Sequence, residues 1–70
     1  MAKAKRYYTL CIYDPTAEMW YDEFGSYDHA EVAVEMREYD APARYKRIIY
    51  TDGTLVDLLR VKAALPHPKH

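Results

Sequence analysis

Cys11 is the only cysteine in 70 residues, so the chain lacks the covalent and metal staples by which many short chains hold a thin core together. A lone thiol cannot close an intramolecular disulfide. Without a second cysteine, the three histidines cannot complete a zinc-finger ligand set. The fold must rest on packing, with dimerisation as the available supplement. A chain this short buries only about 60% of the surface its unfolded form exposes. Such a core supplies roughly 3–5 kcal/mol, which leaves little for a deep, strained catalytic pocket. No apolar run approaches the roughly 18–20 residues that cross a bilayer, and the basic start leads into a strand pattern without an apolar signal core. The expectation is one soluble domain over residues 1–65, a disordered tail over 66–70, and a reducing cytoplasmic setting.

The element pattern follows from local chemistry. Arg6 to Asp14 is dense in aromatic and β-branched residues and stops at Asp14-Pro15, which predicts a strand. Its alternation sets Tyr8, Leu10 and Ile12 on one face, taken as the core, and Tyr7, Thr9, Cys11 and Tyr13 on the other. A second strand is predicted from Met19 to Phe24. There Asp22 shares the parity of Trp20 and Phe24, so a bulge or a strand end is required. Asp28 with Glu31 has capping-box spacing, and Tyr27 with Val32 has that of a hydrophobic staple, so a helix should begin at His29. Pro42 stops it near Asp40 or Ala41. On that helix His29, Val32, Ala33, Met36 and Tyr39 share one side, and Glu31, Glu35 and Glu38 the opposite one.

Arg44 to Thr51 is predicted as the third strand. After Asp52-Gly53, the turn chemistry allows a hairpin to a fourth strand. The Thr54/Asp57 capping spacing and the apolar face of Leu55, Leu58, Leu59 and Leu65 favour a helix over about 55–64 instead, stopped by Pro66. The predicted class is α+β in the order β-β-α-β-α: a three-stranded antiparallel sheet with both helices packed on one face.

A formal net charge of −1 conceals a strong segregation. Residues 1–6 carry three bases and no acid. From Tyr7 to Pro42 nine acids face Arg37 alone, while from Ala43 onward six bases face two acids. A partner is steered by such local fields rather than by the net charge. The central segment offers Glu31, Glu35 and Glu38 as a candidate partner-binding surface, extended by Asp22, Glu23 and Asp28. The same stripe is also what a solvated helix face looks like.

A second candidate is a nucleic-acid platform of Tyr7 and Tyr13 on an open sheet face, interleaved with Arg44, Lys46 and Arg47. The acidic middle segment would repel phosphates, so direct nucleic-acid binding is disfavoured. His67 and His70 flank Pro68 in a segment without helix signals, which predicts no metal site. Asp22 and Glu23 are adjacent strand residues pointing to opposite faces, not a carboxylate pair for acid–base work. With two glycines in the chain, no phosphate-cradling loop can be written, and no cofactor or catalytic residue is expected.

The run Trp20, Phe24, Gly25, Tyr27, Asp28, Val32, Glu35, Tyr39, followed by the basic-to-apolar strand from Lys46 to Tyr50, resembles a pattern in small uncharacterised proteins of tailed phages and prophages. It covers roughly Tyr8 to Tyr50. The resemblance implies a mobile-element protein acting stoichiometrically on a host protein or ribonucleoprotein in the host cytoplasm. Anti-CRISPR proteins are similar in size and charge alone. The alternatives are the single-stranded nucleic-acid binder described above and a structural subunit of a phage assembly that self-associates through the sheet.

Overall fold

The computed structural model describes residues 6–68. Strands β1 (Tyr7–Asp14), β2 (Met19–Ser26) and β3 (Lys46–Thr51) form one antiparallel sheet in the order β2-β1-β3. Helix α1 (His29–Glu38) connects β2 to β3 through a 3-10 turn at Ala43–Tyr45, and helix α2 (Leu55–Ala63) follows β3. The class and the element order are those the sequence predicts. The fourth-strand alternative is excluded, because Thr54 caps α2 by accepting a hydrogen bond at its Oγ1 from the Asp57 N–H at 3.2 Å. Among the described residues, no helix is long and apolar enough to cross a membrane.

The predicted conflict in β2 is resolved by a bulge. Leu10 pairs with Phe24 and Cys11 with Asp22, leaving Glu23 as the extra residue. Trp20 and Asp22 therefore share a face with Tyr13 and Cys11, while Phe24 joins Leu10 on the other. Trp20 and Phe24, alike in parity, point to opposite sides of the sheet.

The helices do not pack on one face, as the sequence pattern suggests; they take opposite faces. On the side of Tyr8, Leu10, Ile12 and Phe24 lies α1, with Leu10 and Val32 each 0% exposed. The other side carries Cys11, Tyr13, Trp20, Tyr45 and Ile49 in one buried cluster, against which Leu58, Val61 and Leu65 pack. Both strand faces are apolar, and a two-faced apolar sheet needs a cover on each side. The pattern Cys11, Tyr13, Trp20, Ile49 is the sequence trace of the second cover.

Local chemistry at the start of α1 also differs in detail from the capping box. Asp28 accepts from the Ala30 N–H at 3.0 Å. Glu31 does not reach back to Asp28. Instead, Ser26 Oγ accepts from the Asp28 N–H at 3.0 Å and donates to Glu31 Oε2 at 3.3 Å. The Tyr27 ring is 57% exposed and meets Tyr7 edge-on at a centroid distance of 4.9 Å.

Beyond α2 the chain turns back onto the sheet rather than leaving it as a tail. The Trp20 indole N–H donates to the Pro66 carbonyl at 3.1 Å, and the His67 ring lies 5.4 Å from that of Tyr13. Lys69 and His70 lie outside the described residues.

Candidate functional site

The site is built on α1 and the adjoining edge of the sheet. α1 buries Val32, and Ala33, Met36 and Tyr39 are half-buried, as the periodicity predicts, whereas His29, placed on the same side by that pattern, is exposed at the first position of the helix. At about 100° per residue, Glu31, Glu35 and Glu38 fall within about 60° of one another. They point away from the buried stripe and form one outward flank of the helix, with Val34 beside them on the outermost side. The Ser26–Glu31 hydrogen bond places the flank on the β2 side, at the free edge of the sheet.

All three glutamates are exposed, and among the described residues none has an ion-pair partner. Five of the cations are engaged elsewhere, while Arg37, on α1 itself, and Arg47 are exposed. Lys46 Nζ donates to the Met36 and Tyr39 carbonyls at 2.7 and 3.0 Å, Arg6 lies over the Tyr50 ring, and Arg44 lies over the Tyr45 ring. Arg60 pairs with Asp57 and Lys62 with Asp22. On α1 three carboxylates thus face one guanidinium, and the field of the flank stays negative.

Of the residues the sequence grouped with this stripe, Asp22 is turned away from it, and Glu23 lines a cleft shared with Tyr39 and Asp40 beyond the end of α1. Asp22 faces α2, 2.9 Å from Lys62 Nζ, and this hydrogen bond holds its carboxyl below the usual carboxylate range. Glu23, in the bulge, sits on the open edge. Asp28 is spent on the helix cap.

A cleft of about 480 Å³ adjoins the flank at the end of α1, lined among others by Tyr21, Glu23, Tyr39 and Asp40. Sequence reasoning missed it, because it needs the end of α1 beside the middle of β2. The only local hint was the clustering of Tyr39 and Asp40 before Pro42.

The platform of tyrosines and bases is not assembled. Tyr13 is 2% exposed beneath α2, with its pKa raised first by burial and then by Glu18. Tyr7 packs over Gly25, where a Cβ would meet the Tyr7 hydroxyl and lie 2.7 Å from its Cζ. Lys46 pairs with Ile12 in the sheet and Arg47 with Cys11, so neighbouring bases face opposite sides. Cys11 is 0% exposed, and burial pushes its thiol up to about 11.

No protein-family model, curated protein or solved structure matches the chain.

Proposed function

We propose that this protein works by binding rather than by catalysis, docking the flank of Glu31, Glu35 and Glu38 on a basic surface of a protein partner. The observation that carries this reading is the charge of the helix: three outward carboxylates on one side of a packed helix, against Arg37 as its one cation, with Lys46 engaged at the helix end. Like charges at these spacings cost about 0.2–0.5 kcal/mol per pair, a cost that partner binding would relieve. The cleft beside the flank offers ring faces from Tyr21 and Tyr39 and carboxylates from Glu23 and Asp40. That combination suits a lysine or arginine side chain.

The likeness to tailed-phage proteins supports a host protein or ribonucleoprotein, such as a CRISPR effector, as the partner and inhibition as the outcome. The nucleic-acid alternative loses its motivation with Tyr13 buried and the bases divided between faces.

The test is affinity capture from host lysate with the wild type and with the triple variant Glu31→Lys, Glu35→Lys, Glu38→Lys. Capture should be lost in the variant while circular dichroism is unchanged. Equal capture by both rejects the surface. A gel shift with single-stranded RNA at low salt should show no complex.

A further inference from the structure

Two threonines are buried among the described residues, Thr9 at 3% and Thr51 at 6% exposure. Thr51 Oγ1 accepts from the Gly53 N–H at 3.1 Å, whereas Thr9 Oγ1 has no hydrogen-bond partner among the described residues. A buried hydroxyl left unpaired costs stability, so a fold that keeps one calls for a use of it.

Thr9 does not sit in a dry core. It lines a cavity of about 170 Å³ beside the β2 bulge, on the α2 side of the sheet, together with Tyr7, Asp22, Glu23, Gly25 and Leu58. The Tyr7 ring over Gly25 and the Leu58 side chain supply apolar walls, and Asp22 and Glu23 supply carboxylates. Thr9 pairs with Gly25 and Cys11 with Asp22, which makes Thr9 and Asp22 diagonal neighbours on one sheet face. Such neighbours stand roughly 7 Å apart. One donor group bridges that gap with two hydrogen bonds of about 3 Å. Lys62 Nζ takes Asp22 Oδ1 at 2.9 Å, and a carboxylate has a second oxygen to offer. Glu23 is exposed, with no ion-pair partner among the described residues. With Lys62 counted, two carboxylates against one ammonium leave the cavity negative.

We infer that this cavity binds a primary alkylammonium group, its three N–H donors shared among Thr9 Oγ1, Asp22 and Glu23 and its alkyl stem lying against Tyr7 and Leu58. A carboxylate or phosphate would meet two like charges there. A guanidinium carries its donors in a rigid planar fork, whereas an ammonium turns its three toward acceptors spread around it. A single water, at about 30 Å³, would leave most of the cavity unfilled. The group has two sources, a lysine side chain of a partner or a free amine. The cavity lies on the opposite sheet face from the acidic flank of α1, and the inference stands whether or not that flank binds a protein.

The test is an NMR titration of the isotope-labelled full chain with n-butylammonium chloride at constant ionic strength. Saturable shifts are expected at the Thr9, Asp22 and Gly25 amides, and none that saturate with tetramethylammonium, which carries the charge without an N–H. Thr9→Val should weaken binding about tenfold or more, the worth of one hydrogen bond to a charged group. It should not lower the melting temperature, because the hydroxyl it removes is unpaired. Thr9→Ser, which keeps the hydroxyl, should retain binding, and Glu23→Gln should weaken it. N-acetyl-lysine N-methylamide binding as tightly as n-butylammonium would identify a partner's lysine as the source; binding of n-butylammonium alone would identify a free amine. Shifts that rise without saturating, equal saturation by tetramethylammonium, or full affinity in Thr9→Val would each overturn the inference. So would a Thr9→Val chain that melts well below the wild type, since the fold itself would then be using the hydroxyl.

Discussion

Lys62 Nζ lies 2.9 Å from Asp22 Oδ1, tying the last turn of α2 to the edge strand β2 on the face opposite α1. The pair is part-exposed, with side-chain exposures of 20 and 49%, so it contributes at most about 1 kcal/mol. Lys62→Met should lower stability at pH 7 by about 0.5–1 kcal/mol in urea titration. The Asp22 carboxyl is depressed below its ordinary 3.8 by the Lys62 hydrogen bond first. Its contribution is therefore complete above that value and lost as pH falls through the lower folded-state pKa. Wild type and variant should converge in stability in strong acid, and a difference that persists there would mean that the ammonium acts through packing.

Gly25 leaves room for the Tyr7 ring, and no positive φ is involved. Gly25→Ala should cost about 1–3 kcal/mol by overpacking. Adding Tyr7→Ala should remove that increment, so the double-mutant cycle should give a coupling of the same size. Additive losses would show that the close approach is relieved elsewhere.

Lys46 ends α1 by donating to the Met36 and Tyr39 carbonyls. Lys46→Met keeps the stem and removes the donors, which at charged-donor strength should cost about 1–3 kcal/mol. Amide exchange should quicken in the last turn of α1 and leave α2 unchanged. Uniform acceleration across both helices would deny the capping role.

Cys11 should be inert to thiol reagents at pH 8 in the native state and react fully once urea unfolds the chain. Its thiol is raised from 9.0 to about 11, so the neutral form is the one the fold holds. The associated stability is intact below about 9 and lost as pH rises toward about 11. Cys11→Ser should flatten that alkaline loss. Rapid native-state labelling would contradict the burial.

Most elements were legible because their signals are local. Asp28 and Pro42 bracket α1, Thr54 and Pro66 bracket α2, and the parity clash of Asp22 called for a bulge or a strand end, of which the structure has the bulge, at Glu23. The acidic stripe was legible from helical periodicity alone. What escaped was which face each helix covers, since that depends on strand pairing across the chain: Trp20 meets Tyr13, and Arg47 meets Cys11, only once β1 lies between β2 and β3. Lys46 was read as a phosphate contact for the same reason. Its carbonyl partners lie seven and ten residues back, and a strand residue gives no local sign of capping a helix.

The unpaired Glu23 has a further consequence. Deleting it would leave Asp22 and Phe24 alternating in a regular ladder, so every other side chain of the sheet would keep its orientation. Register thus does not explain why position 23 is occupied. An irregular backbone with an anionic side chain is a poor template for an incoming strand, which makes Glu23 a guard against runaway fibre growth along the sheet. A shortened chain lacking it would fold as well and store worse.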